Sequence, residues 1–375
     1  MNQKRQIIYL LIMLLGATVT SLTLLFANSN GYSNACGPGR PRNKHQWPFS
    51  CDSIWNRPIG SQAEYIPAEI GPSPWVSAEV NYYIVTTDSD PVVPWYLPLN
   101  WGPGRCELGG ELLGEIHVPH NLILSDATPT KTPNNAAAFL APDGRTLIQM
   151  NPLTRCEAGG PVFGHPTPGQ EDIYGPGITG GQGGSGLSSI GGTIRLGELL
   201  PEAPPLRHAL KLLIYAHKYL YNNPPGYRWP AIRADAYAFN PDSRSRYGGS
   251  NPDLVMGALL AIPPDVTAES LGLKTIPGKK LFEALQDYGG YIVDDTAIDT
   301  HNIAIENGVK EEFLATYGYT FGGTSGDFFD DVNQLFQALA IVKNNSPSSI
   351  GGGGTPRRPL APPLGEPTAC RVCGS

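Results

Sequence analysis

Charge is scarce in this chain. Asp, Glu, Lys and Arg make up 16% of its 375 residues, and acids outnumber Lys and Arg 33 to 26, for a formal net charge of −7. That balance excludes the basic patch or stripe needed to track a nucleic-acid backbone. The nearest approach, Arg40, Arg42 and Lys44, reads as a solvated linker. Long apolar runs are missing after residue 27, which excludes a multi-span membrane protein. No internal repeat is present, so solenoids and propellers are excluded as well. The phosphate loop G-x-x-x-x-G-K-[ST] and the nucleophile elbow G-x-S-x-G are both absent, since Ser185 lies in Gly183-Gly184-Ser185-Gly186-Leu187. The single C-x-x-C, Cys370 and Cys373, has no second ligand pair, so neither a metal site nor a cofactor is expected.

Glycine and proline are abundant, with 45 Gly and 37 Pro. Such a composition suits many turns and short strands better than long helices. Lys4 and Arg5 precede an uncharged apolar stretch that continues through Leu25 and Phe26 to Ala27. Basic residues hold that end in the cytoplasm, and everything beyond it is expected outside the membrane. The stretch is read as a signal peptide or an N-terminal membrane anchor, the two alternatives both standing. Residues 28–46 read as a linker, 47–343 as one globular domain, and 344–375 as a disordered Gly/Pro-rich tail.

The six cysteines, Cys36, Cys51, Cys106, Cys156, Cys370 and Cys373, form an even set, which in an exported chain points to disulfides. Cys106 and Cys156 both sit in Arg-Cys-Glu contexts near glycine pairs and are the first pairing expected. Cys36 with Cys51 would tie the linker to the domain.

The fold expected is mainly β with peripheral α-helices (α+β), around a sandwich or jelly-roll-like core. Strands are predicted at 79–87, 112–118, 137–140, 146–150, 291–295 and 303–306, with Asp143-Gly144 as a hairpin turn. Apolar residues recurring at three and four predict helices over 206–221, from Pro277 to Tyr288, and after Ser325 or Asp327 through Val342. The glycine-rich stretch 157–192 has almost no periodic pattern and reads as a long functional loop or a set of tight turns. Its glycines let the backbone approach something closely, either a flat sugar ring or another part of the chain.

Three constellations carry possible chemistry. Asp294, Asp295 and Asp299, with His301, follow an apolar strand, where acids commonly project into a cleft. Asp235 and Glu198 are candidate partners for the acid-and-base pair that flanks a glycosidic bond. The competing reading is turn chemistry, with Asp side chains bonding nearby backbone N–H groups. His117-Val118-Pro119-His120 is extended, which turns its two imidazoles apart and argues against one shared metal. Arg195, near Glu198 and His208, lies just after the glycines. Six Trp are spread along the domain, and Trp faces stack on sugar rings while Asn and Arg bond hydroxyls. Arg195, Trp229, His120 and Asn251 are accordingly the expected substrate contacts.

Ser53-Ile54-Trp55-Asn56-Arg57-Pro58-Ile59 resembles the start signature of a family of exported bacterial proteins. Similar segments recur in SGLSSIGGTIRLGEL, in YRWPAIRADAYA (227–238), in YGGSNPDLVMGALLAIPP (247–264) and in LQDYGGYIVDDTA (285–297), so the resemblance covers most of 47–306. It brings no activity with it. It implies export and a single domain, and suggests Asp235, Asp294 and Asp295 as the acids to examine first. The expected function is that of a surface or secreted polysaccharide-active protein, a glycoside hydrolase using paired carboxylates. The alternative is a non-catalytic glycan-binding or cell-envelope structural protein. The partners expected are a polysaccharide or cell-surface glycan and the membrane through the N-terminal helix, with no nucleic acid.

Overall fold

The computed structural model describes residues 36–365 except 125, 126, 129, 131 and 132. The apolar segment 1–27 and the pair Cys370 and Cys373 lie outside the described residues. Among those described, no helix is long and apolar enough to cross a membrane.

The chain is mainly β, as its turn-rich composition implies. Along the chain come β1 (Tyr65–Pro67), β2 (Val76–Val85), β3 (Val92–Tyr96), β4 (Leu112–His117), β5 (Ala137–Leu140), β6 (Thr146–Met150), β7 (Val162–Phe163) and β8 (Glu171–Asp172). They are followed by β9 (Leu210–Ile214), the one-turn α1 (Ala216–Tyr219), β10 (Leu259–Ala261) and α2 (Ile276–Asp287). The remaining elements are β11 (Gly290–Asp295), β12 (His301–Glu306), α3 (Val309–Tyr317), α4 (Asp327–Gln337) and β13 (Ala340–Val342), then a 3-10 turn, Ile350–Gly352. Ten strands form one sheet in the order β1-β13-β10-β11-β9-β12-β2-β5-β6-β8, and β4-β3-β7 form a second. Val93, Ile116 and Val162 of the small sheet pack on Tyr82, Ile84, Phe139 and Met150 of the large one, a sandwich-like pair of layers. The large sheet contains three parallel pairs, β11/β9, β12/β2 and β2/β5, so the sandwich-like form of the expectation is the one found.

The central strands are covered on both faces. Leu210, Leu212, Ile292, Ile303 and Ile305 point to one side, where Leu281 and Leu285 of α2, Phe313 of α3 and Val332, Leu335 and Phe336 of α4 meet them. The opposite face, with Leu213, Val293 and Ala304, is covered by Phe49, Ile54, Trp55, Leu187 and Ile190, that is, by loops. The glycines of 177–192 approach another part of the chain: a Cβ on Gly191 would stand 2.2 Å from the Trp55 ring, and one on Gly192 2.6 Å from it. Trp55 donates from Nε1 to the Gly177 carbonyl at 2.6 Å and meets Tyr291 edge-on at 5.5 Å. Its place in the Ser53–Ile59 signature is a packing role.

Four expectations change. Residues 206–221 do not form one helix: Leu210–Ile214 is a central strand with all five residues buried. A short apolar run buried on both faces looks the same to periodicity whether helical or extended, and Pro201, Pro204 and Pro205 precede it. The described part of the tail, 344–365, is ordered against the domain. Gly60 bridges Pro356, Gly351 accepts from Gly60 N–H at 2.9 Å, and Arg357 and Arg358 pair with Asp287. The linker is likewise docked, with Arg42 6% exposed and its guanidinium donating to Trp47, Phe49 and Pro362 carbonyls. Backbone carbonyls hold these segments, and hydropathy patterning does not register such partners. Finally, α4 is preceded by Gly326 with no side-chain cap, so neither Ser325 nor Asp327 serves as one. Disulfides join Cys36 to Cys51 and Cys106 to Cys156, which fits an extracytoplasmic protein.

Candidate functional site

The site grows from a local irregularity in β11. Ile292 pairs with Leu212 and Asp294 with Leu213, so Val293 is an extra residue in the ladder. Without this bulge Asp294 would alternate back to the helix side beside Ile292. With it, Val293 and Asp294 both face the glycine-rich loop. Bulges re-aim side chains in this way. Glu79 on β2 and Lys211 on β9 reach the same face by ordinary alternation, because their neighbours Ala78, Val80, Leu210 and Leu212 pack toward the helices.

Gln182 of the loop ties these groups together. Its amide nitrogen donates to Glu79 Oε1 at 2.5 Å and to Asp294 Oδ2 at 3.2 Å, while its oxygen accepts from Lys211 Nζ at 3.1 Å. Lys211 Nζ also donates to the Ser189 carbonyl at 2.8 Å and the Ser188 carbonyl at 3.2 Å. Asp294 Oδ1 accepts from the backbone N–H of Gly184 at 2.9 Å and of Asp295 at 3.0 Å.

Asp235 arrives on the segment that crosses this loop. Ile232 N–H donates to the Ser185 carbonyl at 3.0 Å and Arg233 Nε to the Gly183 carbonyl at 3.1 Å. A Cβ on Gly184 would stand 2.9 Å from both Asp235 Oδ2 and Asp294 Oδ1. The two carboxylate oxygens therefore lie within roughly 6 Å of each other, the short end of the separations that flank a glycosidic bond. Gly184 is the residue that permits this approach, since any side chain there would fill the gap. Tyr247 donates to Asp235 Oδ2 at 2.7 Å, and Tyr237 to Asp295 Oδ2 at 2.9 Å while also lying against Asp235.

Burial dominates the electrostatics. It raises the Asp294 carboxyl well above the usual range, with Asp235 and Glu79 adding to the effect. Burial also raises Asp295 to about 7 and raises Glu79. Asp235 is raised by burial too, but Tyr247, Tyr237 and Arg233 all favour its ionised form. Lys211 is pushed down to about 7 by burial, against the pull of Glu79. Burial and the neighbouring carboxylates push both phenols up, which keeps Tyr237 and Tyr247 as protonated donors. All four carboxyls of the cluster, Glu79, Asp235, Asp294 and Asp295, are raised by burial, and perturbed titratable groups gathered in this way are candidates for proton transfer.

The other expected residues stand elsewhere. Asp299 takes a surface salt bridge from Lys218 at 3.0 Å. His301 is buried, stacked on Phe336 at 4.3 Å, and donates from Nε2 to the Gly71 carbonyl. Glu198 is occupied by the Arg195 N–H at 2.7 Å and by His208 Nε2 at 3.2 Å, apart from the aspartates. Arg195 is 2% exposed, over the Tyr83 ring and 3.9 Å from Glu306, so it packs and presents no face to a ligand. Asn251 serves a turn, accepting from Asp253 N–H and donating to the Pro67 carbonyl. His120 is exposed beside Asn121 and Gly159, on the loop next to Cys156. Trp229 is partly buried against the loop-covered face of the sheet. Among the described residues no group of three or more His, Cys, Asp or Glu is set to hold a metal ion.

Sequence reading missed Glu79, Gln182, Lys211, Tyr237 and Tyr247. A lysine inside the apolar run of β9 was a usable signal, because a buried cation needs partners. No protein-family model, curated protein or solved structure matches the chain.

Proposed function

We propose that this chain is an exported glycoside hydrolase acting on a polysaccharide, released or held at the surface by its N-terminal segment. The observation that carries the reading is the meeting of Asp235 and Asp294 across Gly184. Asp294, protonated by burial, donates its proton to the glycosidic oxygen as the leaving alcohol departs. Asp235, favoured as carboxylate by two phenols and Arg233, attacks the anomeric carbon and forms a glycosyl ester. Water then cleaves that ester at the anomeric carbon, giving its proton to Asp294 and freeing Asp235. The short separation favours this two-step course with retention of configuration.

The test is reducing-end release by the full chain on a panel of polysaccharides. Asp235→Asn and Asp294→Asn are each expected to lower kcat by about a hundredfold or more. Glu198→Gln, in its separate cluster, is expected to leave kcat within about twofold. Buffer-level release on every glycan, with glycan binding intact, would favour the non-catalytic alternative.

A further inference from the structure

Next to the carboxylates lies a cleft of about 500 Å³ lined by His217, Asn222, Asn223, Phe239, Arg246 and Tyr247, among others. That size suits a small-ligand site, which commonly runs from roughly 300 to 1,000 Å³. Tyr247 is shared: it lines the cleft, and its hydroxyl donates to Asp235 at 2.7 Å. Resting on the hydrolase reading, we propose that this cleft is a substrate subsite for a uronic-acid unit, adjoining the bond cut between Asp235 and Asp294.

The lining chemistry selects that ligand. One guanidinium and one imidazole line the cleft, with no carboxylate among its lining residues, on a chain of net charge −7. Arg246 donates to the Pro241 carbonyl at 3.1 Å through Nη1, which fixes the guanidinium and leaves further N–H groups for a carboxylate. His217 Nδ1 contacts the Arg246 carbonyl at 3.0 Å. A carbonyl only accepts, so Nδ1 carries the hydrogen and the ring is held with its Nε2 edge turned away from Arg246. Asn223 Nδ2 donates to Asn222 Oδ1 at 2.9 Å, presenting one amide N–H₂ and one amide oxygen in fixed relation. These read hydroxyls as donors and acceptors. Phe239, 36% exposed and edge-on to Tyr247 at 5.9 Å, supplies an apolar face for a sugar ring. The Phe239 ring rests where a Cβ on Gly226 would stand 2.5 Å away, and Gly226 has φ of 69°.

The experiment is calorimetric titration of the full chain with trigalacturonate, with cellotriose, and with tricarballylate as a ringless tricarboxylate. Trigalacturonate is expected to bind at least about tenfold more tightly than either of the others. Arg246→Gln, an exposed change checked by an unaltered melting temperature, should remove that preference, and Phe239→Ala should weaken trigalacturonate alone. Equal affinity for the uronide and the neutral sugar, or a preference that survives Arg246→Gln, overturns the subsite. Equal binding of tricarballylate and trigalacturonate overturns it too, as charge attraction without sugar recognition. Uronide binding that depends on Arg246 without any turnover would leave the subsite standing and remove the hydrolase reading. Turnover of neutral glycans that needs Asp235 and Asp294 but ignores Arg246 would do the reverse.

Discussion

Asp295 shows how a single buried carboxyl marks itself in stability. Burial raises it to about 7, against an ordinary value of about 3.8. The native state therefore keeps a proton that the unfolded chain releases, and the stability this provides is present below about pH 4 and lost as pH rises toward 7. The shift corresponds to at most about 4 kcal/mol, and partial solvent access reduces it to on the order of 1–2 kcal/mol. Asp295→Asn is expected to flatten the fall in urea-unfolding free energy between pH 4 and 7, and to be more stable than the parent at pH 8. An unchanged pH slope would mean that Asp295 ionises freely in the folded chain. His301 has the opposite sign. Burial lowers it to about 4 from the usual 6.5, so its contribution is present above pH 6.5 and lost as pH falls toward 4. His301→Gln is expected to lessen acid destabilisation in that window, read from the same titrations, whatever the packing change costs at pH 7.

At the scale of elements, Lys211 is one of the groups that hold the glycine-rich loop to the sheet, beside backbone bonds from Ser185 to Val293 and from Ile194 to Ala304. Its ammonium donates to Gln182, Ser188 and Ser189, spanning the two sides of the turn that presents Gly184 to Asp294. Lys211→Met keeps length and burial but leaves two carbonyls and the Gln182 oxygen without their donor. A loss of about 2–4 kcal/mol is expected, since buried acceptors left without a donor cost roughly 1–3 kcal/mol each and the apolar replacement recovers part of that. Urea midpoints measure the loss, and faster proteolysis within residues 177–194 locates it. The element reading from sequence succeeded where a pattern was local. β5 and β6 match their predicted ranges, with Asp143 accepting from Arg145 and Thr146 N–H in the turn between them. The helix α2 also stands where amphipathic spacing put it, whereas α4 ends at Gln337 and the last part of its predicted range, Ala340–Val342, is strand β13. It failed at β9, whose apolar run is buried from both sides, and it did not register α3.

At the scale of the molecule, the Cys36–Cys51 bridge and the docked tail tie the two ends of the described region to its core, and Cys106–Cys156 closes a loop within it. The Cys106–Cys156 loop spans 50 residues and the Cys36–Cys51 loop 15. Chain-entropy reasoning gives about 4 and about 3 kcal/mol respectively for loops of these lengths. Cys106→Ser/Cys156→Ser is therefore expected to lower stability more than Cys36→Ser/Cys51→Ser, by denaturant unfolding. Peptide mapping without reductant should recover the 36–51 and 106–156 linked fragments. Truncation after residue 343 would remove the Arg357 and Arg358 pairs with Asp287 and the bridge at Gly60. A fall of several degrees in melting temperature is expected, and an unchanged one would show that the docked tail adds nothing.

The sequence by itself determined the β-rich character and the turn at Asp143-Gly144, and it singled out Asp294 and Asp295 at the end of an apolar strand; the disulfide pairings Cys36–Cys51 and Cys106–Cys156, expected from context, were fixed only by the structure. Those sequence features follow from composition, local alternation and the position of acids after an apolar strand, legible within a few neighbouring residues, whereas Asp235 was marked only as a candidate partner and by the family resemblance. Only the tertiary structure decided that Asp235 and Asp294 meet while Glu198 stands aside. It also decided that Arg195 packs over the Tyr83 ring, and that Glu79, Gln182 and Lys211 join the cluster. The reason is that a one-residue bulge in β11 selects the face on which Asp294 lies, and a glycine at 184 sets how near Asp235 can come. Both depend on partners more than 40 residues away along the chain, and no local pattern encodes them.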